Sequence, residues 1–294
     1  NTTASSNTAM GHATLRLNTT GANNTAYGAN ALDANTTGAS NIAIGRNALG
    51  ANTTASNNTS VGTYSLQVNT TGANCTAVGM QSLVANTTGK DNNAFGLNVL
   101  LGCTTGYNNS GFGGGQTYLA VATTASGNVA VGYLAMDSTT DGETNTAVGH
   151  QSLHTNTTGD NNNAFGNYAA RDITTGSGNL CLGHYSGSSS YTTFHITSQS
   201  DRITVGNSLS TNAYVKVAWT VTSDARDKTN VNPIPHGLEF VKQLNPVSYN
   251  FKKSREDDTP HGNKRYGFLA QDILALEGDD NVIIDNEQAD HLKY

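Results

Sequence analysis

Residues 1–187 follow one fixed pattern of apolar and polar positions. A marker glycine recurs every 17 residues, except that the step from Gly113 to Gly132 is 19 residues. The residue before each marker glycine is large and apolar, and the residue two before it is small. Units in such strict phase predict a repeat architecture in which each unit stacks on the next. The marker glycines are Gly11, Gly28, Gly45, Gly62, Gly79, Gly96, Gly113, Gly132, Gly149, Gly166 and Gly183.

Each unit also has a second apolar site, usually leucine, and then a polar turn that usually reads Asn-Thr-Thr-Gly. Alternating small and large residues suit an extended strand with two unlike faces, and glycine supplies the positive φ of a tight corner. Asparagine at a repeated corner can stack into a ladder whose amides bond from rung to rung. The pattern predicts a mostly β fold: a parallel β-roll or β-solenoid rod with two short strands per unit, about 50 Å long at a rung spacing of about 4.8 Å.

A helical solenoid and disorder are the competing structures for this segment. Frequent Gly and Thr, without a 3.6-residue apolar period, disfavour helices. Disorder stays an alternative because the segment is polar and of low complexity, although the strict apolar phase weighs against it. A rod with few large side chains per coil would leave an apolar flank exposed. Three chains around an axis would cover that flank, so we expect a homotrimer.

The pattern changes after Gly183. Residues 188–222 alternate apolar and polar positions, which predicts a β-rich neck with strands at 203–205 and 215–221. Residues 223–294 predict a small α+β domain. Its expected elements are a short strand around Val231, a helix at 238–244, a strand at 247–251, and a strand end with a helix at 266–276.

Composition also changes at Ser223. Residues 1–222 contain six Lys or Arg and eight Asp or Glu, whereas the remaining residues contain nine and thirteen, together with all four prolines. The net charge of −6 without a basic cluster argues against a nucleic-acid partner. The lack of an 18-residue apolar run predicts no membrane insertion. Because Asn1 falls inside a repeat, we expect the chain to be part of a longer protein.

Thiol and metal chemistry have weak support in the repeats. Cys75, Cys103 and Cys181 have no Cys-x-x-Cys spacing and replace small or turn residues, so we interpret them as packing residues. His150 and His154 have the spacing of a helical metal pair but lie in a β-repeat. We therefore predict no metal and no cofactor.

Hydrolysis of polysaccharides and glycosylation are also weakly supported. A glycosidase needs two paired carboxylates, whereas the repeats hold only scattered single acids, such as Asp33, Asp91, Asp160 and Asp172. Cleavage of polysaccharides is therefore a disfavoured alternative. The Asn-Thr-Thr runs match an N-glycosylation acceptor, but we interpret them as turns.

The repeat unit Asn-x-Ala-Val-Gly, as in the residues 145–149, resembles the repeats of trimeric autotransporter adhesin heads. The resemblance covers about residues 1–187 and implies a left-handed parallel β-roll and an obligate trimer. Similar repeats also occur in phage fibre shafts. A bacterial trimeric surface adhesin without enzymatic activity is therefore one hypothesis.

Three motifs near the C-terminus carry a second resemblance. They are Ser-Asp-x-Arg-x-Lys at 223–228, Leu-Asn-Pro-Val-Ser-Tyr at 244–249 and Gly-Phe-Leu-Ala-Gln-Asp at 267–272. In this order they resemble the endosialidase-type intramolecular chaperone domain of phage tail spikes and fibres. The resemblance implies a domain that trimerises, helps the preceding β-fibre fold, and is released by cleavage just before the serine. It also implies a coiled-coil helix, which we expect beyond Tyr294.

The same resemblance assigns roles to residues of the first motif. Ser223 would be the nucleophile, Lys228 the general base, and the bond between Thr222 and Ser223 the cleavage site, with Asp224 and Arg226 as supporting residues. A serine hydroxyl needs a base, and a lysine acts as one when desolvation or a nearby cation lowers its pKa. Spacing alone would equally fit a solvated Ser-Asp turn. The expected activity is one self-cleavage in cis by a serine peptidase dyad, with no trans-acting enzyme.

Our leading hypothesis is the structural and host-recognition part of a phage tail fibre. Its expected location is the virion, outside the cell, after assembly in the host cytoplasm. Its expected partners are two further copies of the chain and a host cell-surface receptor, either a glycan or an outer-membrane component.

Overall fold

The computed structural model describes residues 3–114, 124–189, 195–210, 237–252 and 258–277. The chain forms two compact units, residues 1–207 and 208–294. The first is a parallel β-solenoid and the second contains a two-stranded sheet and two short helices. Residues 115–123, which belong to the 19-residue step from Gly113 to Gly132, lie outside the described residues. The strands expected at 215–221 and around Val231 also lie outside them.

One strand from each coil enters a single parallel sheet, in chain order. Equivalent residues of successive units lie side by side, as Ala26 does beside Ala43. The strand predicted at 203–205 also joins this sheet. The described strands are β1 Thr8–Met10, β2 Thr25–Tyr27, β3 Ile42–Ile44, β4 Thr59–Val61, β5 Thr76–Val78, β6 Asn93–Phe95, β7 Ser110–Phe112, β8 Val129–Val131, β9 Thr146–Val148, β10 Asn163–Phe165, β11 Leu180–Leu182 and β12 Ile203–Val205.

The prediction of two strands per unit is wrong, because each described coil has one three-residue strand. The second apolar site lies in a turn, where Leu49 has a left-handed φ of 50°. The backbone N–H of Leu49 still donates to the carbonyl of Ser65 in the next rung, at 3.1 Å. Bonding between rungs therefore continues through the turn without an extended backbone. The sequence did not indicate this, since a left-handed leucine is uncommon.

The core contains one column of large side chains and one column of small ones. The middle residue of each strand from β2 to β11 is buried, and Ala43 is fully buried. The large column comes from the left-handed turn. Because each coil buries only a few apolar side chains, the stability of the rod depends on contacts between neighbouring coils. The large column includes Leu32, Leu49, Leu66, Leu83, Leu100, Met136 and Leu153, which are all fully buried.

Two columns of buried asparagine complete the interior. In the column four residues before the marker glycine, Asn41 Oδ1 accepts the N–H of Asn58 at 3.0 Å, and Asn41 Nδ2 donates to the carbonyl of Ala55 at 2.9 Å. In the column that opens the Asn-Thr-Thr turn, Asn52 Nδ2 donates to Asn35 Oδ1 at 2.8 Å. The predicted amide ladder is confirmed in the second column, whereas the first column bonds mainly to the backbone.

The second asparagine ladder is interrupted where the sequence departs from the repeat. Cys103 follows Asn86 in this column, and Asn86 Oδ1 is buried without a hydrogen-bond partner. Ile173 follows Asn156 in the same way, and Asn156 Oδ1 also has none. A buried amide oxygen without a partner costs about 1–3 kcal/mol. These two rungs are therefore local weak points of the rod.

The C-terminal unit contains α1 Leu238–Gln243, β13 Val247–Lys252, β14 Pro260–Gly267 and α2 Ala270–Glu277. β13 and β14 are antiparallel, with Val247 opposite Gly267. These elements agree with the helix, the strand and the strand-to-helix transition that the apolar pattern predicts for 238–276.

Candidate functional sites

The residues predicted to cut the chain lie outside the described part of the structure. Ser223, Lys228 and the flanking Thr222, Asp224 and Arg226 all fall in the segment 211–236. Their roles stay predictions.

The two other motifs of the predicted chaperone meet in the structure. The motif at 244–249 begins directly after α1 and includes the start of β13, and the motif at 267–272 includes the end of β14 and the start of α2. Val247 pairs with Gly267, and Ser248 pairs with Tyr266. The antiparallel pairing of β13 and β14 therefore brings together two segments about 20 residues apart in the sequence.

The described residues of the C-terminal unit expose many large apolar side chains. α1 buries none of its residues, and Leu238 and Val241 are 68% and 55% exposed. Phe251 and Tyr266 on the sheet are 53% and 80% exposed. Large exposed apolar surface is typical of a site that contacts another protein.

The rod has a row of outward-facing apolar side chains, some exposed and some half-buried, which we call the apolar row. It consists of the residue before each marker glycine, at the end of each strand and facing outward. Met10 and Tyr27 are 61% and 54% exposed, and Phe112 and Phe165 are both 41% exposed. The row is thus the first of the two apolar sites of each unit, and unlike the leucine column it is not part of the core of a single chain. Its members are Met10, Tyr27, Ile44, Val61, Val78, Phe95, Phe112, Val131, Val148, Phe165 and Leu182.

A second surface feature is a column of aromatic rings on the turn after the strands. The ring of His150 stacks on Tyr133 at 5.5 Å and packs edge-on against Tyr168 at 5.1 Å. Tyr168 stacks on Tyr185 at 4.5 Å. His150 is therefore a stacking residue, and within the described ranges no group of three or more His, Cys, Asp or Glu side chains could hold a metal ion. Sequence reasoning missed this column, although the repeat phase places all four residues one or two positions after a marker glycine.

The four acids Asp33, Asp91, Asp160 and Asp172 are bonded to neighbouring rungs. Asp33 forms an ion pair with Arg16 at 2.8 Å. Asp91 accepts a hydrogen bond from Asn74 at 3.0 Å, and Asp160 accepts one from the backbone of Glu143 at 2.7 Å. Asp172 accepts hydrogen bonds from Ser188 and Ser189. These contacts give each acid a structural role in holding successive rungs together.

The Asn-Thr-Thr turns also have a structural role. Asn35 and Asn52 are fully buried. The Nδ2 of Asn35 donates to Gly38 at 2.9 Å, and the Nδ2 of Asn52 donates to Ala55 at 3.0 Å. A buried amide that bonds within its own turn cannot carry a glycan in the folded rod, so the interpretation as turns is confirmed for these residues.

We expect iodoacetamide to leave the three cysteines of the folded chain unmodified at pH 8. All three are free and buried. Burial raises the pKa of Cys75 to about 11 and that of Cys103 to about 12, and it also raises the pKa of Cys181. The reactive thiolate is therefore scarce at this pH. Mass spectrometry would count the modified thiols, with the guanidinium-unfolded chain as the positive control. Rapid labelling of the folded chain would contradict burial.

Comparison with known families identifies the C-terminal segment. Residues 223–282 match the family model described as chaperone of endosialidase. A search of curated proteins and a search of solved structures each found no match. The matched segment begins at Ser223, where the composition changes, and includes all three predicted motifs.

The chain thus contains a β-solenoid rod followed by a segment that matches the endosialidase-chaperone family. This arrangement fits a phage tail fibre. Among the described residues, no helix is long and apolar enough to span a bilayer.

Proposed function

We propose that the chain is a trimeric part of a phage tail fibre, in which the C-terminal segment aligns three chains and then releases itself. The observation that carries this proposal is the match to the endosialidase chaperone at residues 223–282, in the same chain as the solenoid. The proposed location is the virion, and the proposed partner outside the fibre is a host-surface glycan or outer-membrane component.

The exposed apolar surfaces support a trimer. The apolar row extends along the rod from Met10 to Leu182, and apolar exposure of this kind in water favours association. Three rods around an axis would cover it. The exposed apolar residues of α1 and of the two-stranded sheet favour association of the C-terminal units for the same reason.

The repeat itself explains why such a fibre needs a chaperone. A slip of one rod by a single rung leaves the backbone pairing and asparagine ladders inside each rod unchanged, so these features cannot align three chains. A C-terminal trimer that forms first would start the rods in alignment. Release of the chaperone would then remove the catalyst of assembly and make the rod slow to unfold.

The proposed cleavage is a serine–lysine reaction. The amine of Lys228 takes the hydroxyl proton of Ser223, and Oγ attacks the carbonyl carbon of Thr222. The peptide C–N bond breaks, and the Ser223 nitrogen takes a proton to become a free amine. Water then hydrolyses the ester, which leaves a carboxylate on Thr222 and restores the serine hydroxyl. The lysine can act in this way when its pKa is lowered, and Arg226 is a nearby cation in the sequence.

Replacing either residue of this pair is expected to leave an uncut chain that still trimerises. We would produce the natural protein as wild type, Ser223→Ala and Lys228→Ala, and measure subunit mass and oligomeric state. The controls are Ser208→Ala and Lys242→Ala, because both residues are exposed on the surface and outside the motif. The wild type and both controls should be cut before Ser223. An uncut wild type would exclude autoproteolysis.

A bacterial trimeric surface adhesin is the second candidate, favoured by the solenoid and its Asn-x-Ala-Val-Gly strands. This candidate and the tail fibre differ in the fate of the C-terminal segment. An adhesin would retain residues 223–282 in the mature trimer, whereas the proposed fibre would lose them.

A further inference from the structure

The side chains of the apolar row differ in size from rung to rung, although the backbone repeats. Phe95 and Phe112 stack on each other with ring centroids 5.0 Å apart and planes only 2° from parallel. Smaller residues precede and follow this pair. The order along the row is Val61, Val78, Phe95, Phe112, Val131, Val148 and Phe165.

In the seven successive strands β4 to β10, the other outward-facing residue changes together with the apolar row. Strands β6, β7 and β10 end in phenylalanine and begin with Asn93, Ser110 and Asn163. Strands β4, β5, β8 and β9 end in valine and begin with threonine or valine. Each of these seven rungs therefore presents one of two kinds of surface. One carries a large aromatic ring beside a polar residue, and the other carries two small β-branched residues.

The spacing of the apolar row indicates what covers it. The row repeats once per rung, at about 4.8 Å along the sheet. A partner that contacts it over its whole length must present apolar groups at the same spacing. The same row on a second copy of this chain meets that requirement at every rung. The side chains of a helix, which repeat about every 5.4 Å along its axis, would no longer match the rungs after a few repeats.

We propose that the order of side chains in the apolar row sets the register between copies of the chain, with each row facing the same rungs of its neighbours. This inference rests on the proposed trimer. In register, Phe95 meets Phe95 of the other copies and Val78 meets Val78. The chaperone aligns the chains during assembly, and the row holds them in register after its release.

A slip of one rung creates mismatches at the boundaries between the two kinds of surface. Val78 would then face Phe95, Phe112 would face Val131, and Val148 would face Phe165 of a neighbouring chain. A valine that faces a space shaped for a phenylalanine ring leaves a cavity. A phenylalanine that faces a space shaped for valine is overpacked. The mismatches recur in each chain. The apolar row therefore disfavours a shift of one chain by one rung relative to its neighbours, whereas the asparagine ladders inside each rod do not.

A chain with a shifted row tests the proposal. The variant Val78→Phe with Phe112→Val moves the pair of rings by one rung and keeps the composition. Both residue types already occupy the row, so the variant is expected to fold. It would be co-expressed with the wild type of the natural protein, each with a different affinity tag, and trimers that carry both tags would be isolated. The matched control is Leu17→Val with Val68→Phe, which changes two exposed residues six positions after their marker glycines, outside the strands.

Mixed trimers that contain the shifted row are expected to be scarce, or to melt at least about 5 °C below either pure trimer. Mixed trimers that contain the control chain should form freely and melt with the wild type. The proposal is overturned if shifted and control chains give mixed trimers of equal yield and equal melting temperature. A wild type that is monomeric would overturn the trimer as well. Subunit masses from the same preparations report cleavage separately, so failure of the register proposal is distinguishable from failure of the chaperone proposal.

Discussion

Gly45→Ala is expected to destabilise the rod by about 4 kcal/mol. Two costs add at this position: the backbone strain of an alanine with a positive φ, and the steric overlap of its β-carbon with the next rung. Gly45 has a φ of 131°, a conformation that side chains rarely adopt. A β-carbon there would lie 2.6 Å from the carbonyl carbon of Gly62 in the next rung. That neighbour is backbone of the stacked sheet and cannot rotate away.

Gly50→Ala is the matched control for this prediction. Gly50 is in the same coil, and a β-carbon there would have its nearest neighbour at 3.3 Å, the carbonyl oxygen of Asn47. Equivalent positions in other units carry Arg16, Asp33 and Gln67. Gly50→Ala should therefore change stability by less than about 1 kcal/mol.

Hydrogen exchange resolved by rung is the appropriate measurement for Gly45→Ala. Coils contact mainly their neighbours, so a repeat rod can open locally and need not unfold in two states. Protection of the rungs around Gly45 should fall about a thousandfold, as expected for a loss of about 4 kcal/mol. Unchanged protection there would show that the marker glycines do not stack as described.

Asn52→Asp is expected to destabilise the rod by about 3–5 kcal/mol at pH 7, because it buries a charge and removes two donated hydrogen bonds. Asn52 Nδ2 donates to Asn35 at 2.8 Å and to the carbonyl of Ala55 at 3.0 Å. A carboxylate has only acceptor atoms, and its two neighbours, Asn35 Oδ1 and the carbonyl oxygen of Ala55, are also acceptors. Asn52 is fully buried, so water does not replace the lost donors.

The loss of stability that Asn52→Asp causes, relative to the wild type, should become smaller in acid. We call this loss the stability deficit. Burial without a cation raises the pKa of a carboxyl above its unfolded value of about 3.9. The deficit should therefore be largest at neutral pH and fall as the pH drops through the raised pKa towards about 4. Thermal unfolding of the variant and of the wild type between pH 4 and pH 8 would measure it, and a deficit independent of pH would contradict a buried carboxylate.

Asn57→Asp provides the control for the charge. Asn57 lies in the next turn, is exposed, and its column already contains Asp91. Its amide bonds to Asn74 at 3.3 Å on the surface. Because water screens an exposed charge, this variant should differ from the wild type by less than about 0.5 kcal/mol over the same pH range.

The C-terminal elements show how far pattern alone reached. The apolar spacing at 238–244 and the alternation at 247–251 predicted α1 and β13, because these segments follow ordinary helical and strand periods. The family match begins at Ser223, the point where charge and proline content change. The aromatic column that includes Tyr133 and His150 was not predicted, since its members occupy two different positions of the repeat and are brought together only by stacking.

The sequence by itself determined that the rod is a stack of coils in parallel phase, with the small residue of each strand inside. Strict spacing requires equivalent residues to lie side by side, and only a small residue fits between the strand and the leucine column. The tertiary structure decided which apolar column is core and which is surface. Leu49 and Ile44 are equally apolar, so hydrophobicity cannot separate them. The left-handed turn directs Leu49 inward, whereas the alternation of the strand directs Ile44 outward, because Ala43 already occupies the inner face.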